Sequence, residues 1–178
     1  MMRFRLLSAA DLSPGLLSSF RHRQLIRRKW VRRADWELCG AAEVREWDRE
    51  KREWIPEYLR WQLERGGSAL AAYSGDELVG FCALDGCLSG ETARYANLTM
   101  LFVDDGWQGQ GVGKALFRLI CVQARKLGAE KLFLSAIPSE ETVAFYFHIG
   151  CTDAAEIIPD FTDTEEDRYL EFSLYPPS

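Results

Sequence analysis

Short stretches of alternating apolar and polar residues recur along this 178-residue chain, and such alternation is typical of half-buried strands. Strands are predicted at residues 3–7, 68–73, 78–84, 95–103, 131–137 and 168–174. The polar, glycine-containing turn at residues 74–77 joins the second and third of them as an antiparallel hairpin. Another hairpin is predicted between Leu25 and Leu38, where β-branched and aromatic residues surround a turn at residues 33–35.

Apolar residues recur at helical spacing in three longer segments. Helices are predicted at residues 48–65, 111–127 and 139–150, with glycines at their ends at Gly66-Gly67, Gly128 and Gly150. Pro56 predicts a bend in the first helix or a late start. Ser139 is placed to cap the third helix, whose first turn holds Glu140 and Glu141 near the positive end of the helix dipole. Residues 8–20 suit one or two short helical turns.

The order of these elements predicts the fold class. Strands come first and are followed by strand, helix, strand, helix and strand, which suits an α/β fold with a mixed sheet and helices on both faces. An apolar content of 47% is enough to fill one sizeable core, so a single domain over residues 1–178 is expected. The acidic segment at residues 160–167 is predicted to be a mobile loop.

Charge is distributed unevenly along the chain. The net charge is −5, yet the segment from Arg21 to Arg33 carries seven Lys or Arg residues and no acid. The acidic remainder argues against nucleic-acid binding by the whole protein, so no nucleic-acid partner is expected. A nucleic-acid-binding module built on Arg21 to Arg33 stays as an alternative, although only Phe20 and Trp30 lie in or beside that segment as aromatics for stacking.

Cysteine and histidine usage bears on metal chemistry and location. The five cysteines form no Cys-x-x-Cys pair and are predicted to be buried free thiols: Cys39, Cys82, Cys87, Cys121 and Cys151. With only His22 and His148 available, no metal site is expected. The apolar stretches are too short to span a membrane, and the start lacks a signal-peptide core, so a cytoplasmic protein without a membrane partner is expected.

The most informative segment is the glycine-rich stretch from Val103 to Lys114, between a predicted strand and a predicted helix. Glycines let a backbone approach a ligand closely, and N–H groups at a helix start attract an anion such as a pyrophosphate. The spacing does not fit a P-loop, because Gln108 and Ala115 stand where glycine and Ser or Thr are needed. It does not fit the dinucleotide fingerprint either, since these glycines are spaced two apart.

This segment resembles the coenzyme A loop of the GCN5-related N-acetyltransferase (GNAT) family, Gln/Arg-x-x-Gly-x-Gly/Ala, at Gln108, Gly111 and Gly113. The resemblance implies a mostly antiparallel central sheet and acetyl-CoA as cosubstrate. It implies that backbone groups of Phe102 and Val103 bind the pantetheine arm. It further implies that the loop binds the pyrophosphate through Gln108, Gly109, Gln110, Gly111, Val112, Gly113 and Lys114.

A second match lies at residues 145–150, which resemble the family ending Phe-Tyr-x-x-x-Gly-Phe. The resemblance makes Tyr146 the catalytic residue, which donates a proton to the departing thiolate, and places Ser139 against the coenzyme. The two residues are seven apart, so their side chains project from nearly the same helix face. The chain departs from the family pattern at Asp105, Ser139 and Cys151, where Pro, Asn and Phe are common.

The implied reaction is transfer of an acetyl group to a primary amine by direct attack in a ternary complex. A small-molecule amine is favoured over a protein acceptor, and a noncatalytic acyl-CoA sensor is kept as an alternative. Asp85, Glu91 and Asp104 are candidate bases, beside a water relay. A cysteine nucleophile is also considered, but Cys82, Cys121 and Cys151 lie in apolar patterns typical of inert burial.

The acceptor side is expected to draw on residues 24–47 and on the acidic loop. This region and the helix after it are rich in tryptophan: Trp30, Trp36, Trp47 and Trp54. Tryptophans bind cationic amines by cation–π contact, but they also fill cores, and the sequence leaves both alternatives open. The sequence does not exclude a homodimer.

Overall fold

The computed structural model describes residues 1–177, and its main element is a seven-stranded sheet. The strands are β1 (Met2–Leu6), β2 (Arg23–Arg32), β3 (Trp36–Glu46), β4 (Ser68–Ser74), β5 (Glu77–Ser89), β6 (Tyr95–Val103), β7 (Lys131–Ala136), β8 (Thr152–Asp153) and β9 (Arg168–Ser173). The helices are α1 (Arg49–Glu64), α2 (Val112–Leu127) and α3 (Glu140–His148). The sheet order is β1-β4-β5-β6-β7-β9-β8, and β2 and β3 form a separate hairpin.

Only one pair of neighbours in the sheet is parallel. β6 and β7 run in the same direction, whereas every other adjacent pair is antiparallel. The parallel pair is connected through α2, because parallel strands need a crossover. The expected mixed, mostly antiparallel sheet is therefore confirmed.

Helices cover both faces of the sheet, and alternation along the strands separates two cores. On β4, Leu70 and Ala72 point into the core under α2, whereas Ala69 and Ala71 point into the core under α1. Residues of α2, and Tyr146 of α3, belong to the first core. We call these two sides of the sheet the α2 face and the α1 face.

Several elements differ in extent from the sequence prediction. The predicted late start of α1 is wrong, because Asp48 accepts a hydrogen bond from the Lys51 N–H and starts the helix there, and α1 continues through Pro56. Proline deprives the helix of one N–H only, and burial of the adjacent Ile55 and of Leu59 favours continuation. Strand β8 was not predicted, since two residues carry no periodicity.

Two strands are longer than predicted. Strand β3 extends to Glu46, so the hairpin is much larger than the segment from Leu25 to Leu38. Strand β5 extends beyond Leu84 to Ser89, and its register with β6 shifts between Leu84 and Leu88. That irregularity interrupts the simple alternation by which a strand is recognised in a sequence.

The β2–β3 hairpin is fastened to the sheet through Arg168 at the start of β9. Its guanidinium carbon lies 4.8 Å from the ring centroids of both Trp30 and Trp36 and 5.0 Å from that of Phe147. The same guanidinium donates two hydrogen bonds to the Asp153 carboxylate, at 2.7 and 2.8 Å. The cation held by these two tryptophans is therefore an arginine of the chain itself.

The other two tryptophans have different surroundings. Trp47 packs beside Phe20 and Phe102 at the edge of the core under α1. Trp54 is 43% exposed on α1 and stacks on Tyr58. A four-tryptophan cage for an acceptor amine is thus not formed.

We expect the Arg168→Ala variant to lose on the order of 2–3 kcal/mol of unfolding free energy, because several cation–π contacts and an ion pair disappear together. Urea unfolding followed by tryptophan fluorescence measures this loss. Arg33→Ala is the matched control, since its side chain is 61% exposed and pairs only with Glu37 at the hairpin tip. The control should change stability by less than about 0.5 kcal/mol. Equal effects of the two substitutions would contradict the fastening role.

Candidate functional site

The site begins where the parallel strands β6 and β7 separate. They pair at Tyr95–Asn97 with Lys131–Phe133 and then diverge. The following residues, 98–103 of β6 and 134–137 after the paired part of β7, line a cavity of about 890 Å³. On this edge β6 has no strand partner beyond Asn97, so its N–H and C=O groups are available to a ligand.

A β-bulge lies on β6 at the start of this opening. Ala83 pairs with Met100 and Leu84 with Leu98, so Thr99 has no partner in β5. The Thr99 hydroxyl donates instead to the buried Gln62 amide oxygen on α1, at 2.9 Å. Bulges bend the strand that carries them, which accounts for β6 turning away from β7 at this position.

The glycine loop lies at the carboxyl end of β6 and leads into α2. Gly109 and Gly111 have φ angles of 74° and 84°, a left-handed conformation that favours glycine. Gly111 caps α2 without a side-chain hydrogen bond, so first-turn N–H groups remain unsatisfied beside the cavity. At Gly113, an added Cβ would lie 3.2 Å from the Phe145 ring, so a larger residue there would require the ring to shift by a few tenths of an ångström. These features fit a pyrophosphate.

Most of the residues predicted to bind the coenzyme line this cavity. They are Phe102, Val103, Gln108, Gly109, Gly111, Val112, Gly113 and Lys114. Gln110 is not among the lining residues, and its amide donates to the Gly106 carbonyl at 3.2 Å. Gln110 therefore braces the loop from outside.

Ser139 also lies outside the lining and is fully buried. Its hydroxyl oxygen caps α3 by accepting the Thr142 N–H, and the Gln24 amide donates to it at 2.8 Å. Gln24 and Thr142 both line the cavity. Ser139 thus supports two lining residues, Gln24 and Thr142. The sequence did not single them out, because the contact between Ser139 and Gln24 joins positions far apart in the chain.

Tyr146 lines the cavity from α3 and is only 8% exposed. Burial raises its pKa above the ordinary tyrosine value, so the phenol stays protonated at neutral pH. A protonated phenol beside the unpaired edge of β6 can act as a proton donor.

The β2–β3 hairpin spans the opening between the glycine loop and α3. At the loop, Arg21 donates to Asp104 from its backbone N–H at 2.7 Å and from its guanidinium at 2.8 Å. At the other side, the Trp30 N–H donates to the Pro138 carbonyl at 2.7 Å, just before α3. The hairpin and the residues just before it therefore connect the carboxyl ends of β6 and β7.

Basic residues of the hairpin are largely neutralised by acids. Six of the seven Lys and Arg residues between positions 21 and 33 pair with a carboxylate: Arg21, Arg23, Arg28, Lys29, Arg32 and Arg33. Paired charges attract phosphate less than free charges do, so this segment is poorly suited to bind nucleic acid.

The three candidate bases taken from the sequence do not line the cavity. Glu91 is exposed beyond β5, and Asp85 lies within β5, where it accepts the Cys87 N–H. Asp104 is 1% exposed and accepts three N–H groups, two from Arg21 and one from Gly106. Burial acts to raise the pKa of Asp104, but the hydrogen bonds outweigh it and hold the pKa below its ordinary value.

Carboxylates that do line the cavity come from the acidic loop and from α3: Glu141, Asp163 and Asp167. Burial is the main cause that raises the pKa of both Asp163 and Asp167 above the ordinary carboxyl value. The sequence showed the loop as acidic, but it gave no reason to choose among its acids. The one signal available in the sequence was the polar Ser135 in a mostly apolar strand. In the structure, the Ser135 hydroxyl donates to Asp167 at 2.8 Å.

The predicted burial is confirmed for Cys82, Cys121 and Cys151 but is wrong for Cys87, which is exposed, and for Cys39, which is partly exposed, and none of the five lines the cavity. Burial raises the pKa of Cys121 to about 11 and that of Cys151 to about 12, and it raises the pKa of Cys82 further still. Such thiols carry almost no thiolate at neutral pH, which makes a cysteine nucleophile a poor candidate. Within residues 1–177, no three His, Cys, Asp or Glu side chains are grouped as metal ligands. No helix in this range is both long enough and apolar enough to cross a membrane.

Three features meet at this site: a split parallel pair of strands, a glycine loop that starts a helix, and a tyrosine on the next helix. The sequence profile of the acetyltransferase (GNAT) family matches residues 27–150, and the chain belongs to this family. No curated protein matches the chain in sequence.

Solved structures share the fold at low identity. Nourseothricin acetyltransferase is 18% identical, with 98% of this chain and 99% of that chain covered and a TM-score of 0.68. A GNAT-family acetyltransferase from Staphylococcus aureus Mu50 is 15% identical, with 98% and 100% covered and a TM-score of 0.65. PaiA N-acetyltransferase from Thermoplasma acidophilum, in complex with coenzyme A, is 16% identical, with 97% and 99% covered and a TM-score of 0.61.

Gly111→Ala should destabilise the protein by about 1–2 kcal/mol, because an L-residue is strained in the left-handed conformation. Backbone strain is separated from steric clash at this position, since an added Cβ would meet no atom within 4 Å. Gly15→Ala is the matched control, as its Cβ also has open space and its φ is not in the left-handed region. Thermal unfolding of both variants measures the difference. An equal or smaller loss at Gly111 would show that its backbone conformation is not constrained.

Proposed function

We propose that this protein is an N-acetyltransferase that moves the acetyl group of acetyl-CoA to a primary amine of a small molecule by direct attack in a ternary complex. One observation carries the proposal: the glycine loop, the unpaired edge of β6 and Tyr146 all line one cavity. A site that only stored the coenzyme would need the first two features. A buried, protonated phenol adds the group that the chemistry requires.

Different parts of the chain bind different parts of acetyl-CoA. First-turn N–H groups of α2 bind the pyrophosphate, with Lys114 supplying a positive charge beside them. Unpaired backbone groups of β6, at Phe102 and Val103, hydrogen-bond the pantetheine arm. Gln110 and Ser139 support this site from outside the cavity, Gln110 through the loop and Ser139 through Gln24 and Thr142.

Transfer needs a neutral amine, a stabilised oxyanion and protonation of the leaving sulfur. A backbone N–H of the unpaired part of β6 stabilises the oxyanion as the amine attacks the thioester carbonyl. Tyr146 then donates its proton to the thiolate, since a reference thiol pKa of about 8.5 rises when the thiolate loses water.

A small acceptor is supported by the size of the cavity. Its volume of about 890 Å³ lies within the usual range of small-molecule sites and has to hold part of the coenzyme as well, which leaves limited room for an acceptor. The similar structure named nourseothricin acetyltransferase carries the name of a small-molecule acceptor, although 18% identity supports the fold alone. A single domain, a cytoplasmic location and metal-free chemistry remain part of this proposal.

Acetyl-CoA should raise the melting temperature, because a ligand that binds only the folded state stabilises it by mass action. Differential scanning fluorimetry at millimolar acetyl-CoA measures the shift, with adenosine as a control that lacks the pyrophosphate. Thiol release is then followed with a panel of benzylamine, lysine, putrescine and spermidine. Binding without turnover of any amine would favour the noncatalytic sensor. Absence of both binding and turnover would contradict the whole proposal.

Tyr146→Phe removes only the hydroxyl and leaves the packed ring. We expect kcat to fall by roughly 10²- to 10⁴-fold while the melting shift with acetyl-CoA is retained, because proton donation is made in the transition state. Tyr175→Phe is the control, since Tyr175 is 51% exposed and outside the cavity. If Tyr146→Phe kept the wild-type rate with chemistry rate-limiting, the proton donor would have to be another group.

A further inference from the structure

We infer that Asp167 is the catalytic base that accepts the proton of the attacking amine, an assignment that rests on the proposed acetyl transfer. Asp167 immediately precedes β9 and is 6% exposed, yet it lines the cavity. None of the acids considered from the sequence as bases combines burial with access to the cavity.

Ser135 on β7 holds the Asp167 side chain in place. The Ser135 hydroxyl donates to one carboxylate oxygen of Asp167 at 2.8 Å, and the same hydroxyl oxygen accepts the Asp163 N–H at 3.2 Å. One short side chain thus ties two points of the acidic loop to the strand that borders the opening. The carboxylate is oriented by the sheet rather than free on a loop.

Asp167 and Tyr146 lie on opposite faces of the sheet. Leu134 and Ala136 point into the core on the α2 face, where Tyr146 also packs, so Ser135 between them points to the α1 face. Asp167 binds Ser135 and therefore lies on the α1 face. Both Tyr146 and Asp167 line the same cavity, so it passes through the split between β6 and β7.

The placement of Asp167 and Tyr146 on opposite faces of the sheet suits the chemistry of acyl transfer. The tetrahedral intermediate carries the incoming nitrogen and the departing sulfur on one carbon, and each needs a proton group beside it. Tyr146 is the acid on the α2 face, where the glycine loop starts α2, and it protonates the sulfur. A base on the α1 face serves an acceptor that enters from that face, past Thr99 and Asp163.

The proton balance closes with these two groups. The amine nitrogen forms a bond to the thioester carbon, and Asp167 accepts the N–H proton. The carbon–sulfur bond breaks with its electron pair on sulfur, and Tyr146 gives its proton to that sulfur. The proton on Asp167 then returns through solvent to the Tyr146 phenolate, so amine and thioester become amide and thiol.

Burial makes Asp167 a base stronger than an ordinary carboxylate, whereas the groups around it act on its pKa in both directions. Burial raises its pKa most, and Ser135 and Thr164 lower it by hydrogen bonding. Arg45 of β3 lowers the pKa through its charge, and Glu166 of the loop raises it. Asp163 is the other acid that faces it, since its charge and that of Asp167 interact.

Two other groups in the cavity are less suited to this role. The His22 imidazole also lines it, and burial lowers its pKa, but its ring packs 5.1 Å from Phe102 at the glycine-loop end of β6. The pKa of Asp163 is also raised, but its side chain is more exposed than that of Asp167, and Ser135 bonds its backbone N–H rather than its carboxylate. Asp163 is better placed to attract a cationic acceptor than to take its proton.

Asp167→Asn tests the assignment, using the panel amine that the wild type acetylates fastest. We expect kcat/KM to fall by roughly 10²- to 10⁴-fold, with an unchanged melting shift by acetyl-CoA. The part of the acidic limb that lies below the pKa of the amine itself should disappear from the kcat/KM profile of this variant, and Asp167→Glu should restore part of the rate. Glu165→Gln is the matched control on the same loop; it lies outside the cavity and should keep the wild-type rate and profile.

Ser135→Ala provides a second test if Asp167→Asn folds poorly. Ser135 lowers the pKa of Asp167, so its removal should move the acidic limb to higher pH. If the limb below the pKa of the amine stays in place in both variants, or if the Asp167→Asn rate is within threefold of the wild type, the assignment of the base alone is overturned. A wild type that binds acetyl-CoA but acetylates no amine would instead overturn the proposed function, and this assignment with it.

Discussion

The site depends on the failure of β6 and β7 to stay paired beyond Asn97 and Phe133. A buried backbone N–H or C=O without a partner costs free energy, so an opened strand edge needs water or a ligand to satisfy it. The bulge at Thr99 and its bond to Gln62 keep β6 in this open path. The opening thus supplies hydrogen-bonding groups and a passage between the two faces of the sheet at one place.

The β2–β3 hairpin and the residues just before it connect the two separated strand ends from outside the sheet. Arg21 bonds Asp104 in the glycine loop, and the Trp30 N–H bonds the Pro138 carbonyl just before α3. The basic segment that left nucleic-acid binding open as an alternative is therefore occupied largely by ion pairs. Two of these pairs, Arg21–Asp104 and Arg28–Glu140, link the segment to the rest of the fold, whereas the other four lie within the hairpin, and exposed pairs of this kind contribute modest free energy each.

Local signals explain what the sequence predicted well. The glycine loop, the three helices and most strands follow from spacing and from end residues within a few positions, and the family resemblance rests on the same short segments. Features made by distant partners were missed. The burial of Ser139 under Gln24, the attachment of Trp30 and Trp36 to Arg168, and the link between Ser135 and Asp167 join positions that no local pattern connects.

Two aspartates show why residue type and burial do not decide a role by themselves. Asp104 and Asp167 are 1% and 6% exposed, yet their pKa values move in opposite directions. Asp104 accepts three N–H groups, including one from a guanidinium, and these stabilise its charge more than burial opposes it. Asp167 has hydroxyl donors and no direct cation, so burial prevails. The number and charge of the donors therefore make one carboxylate a structural anchor and leave the other able to accept a proton.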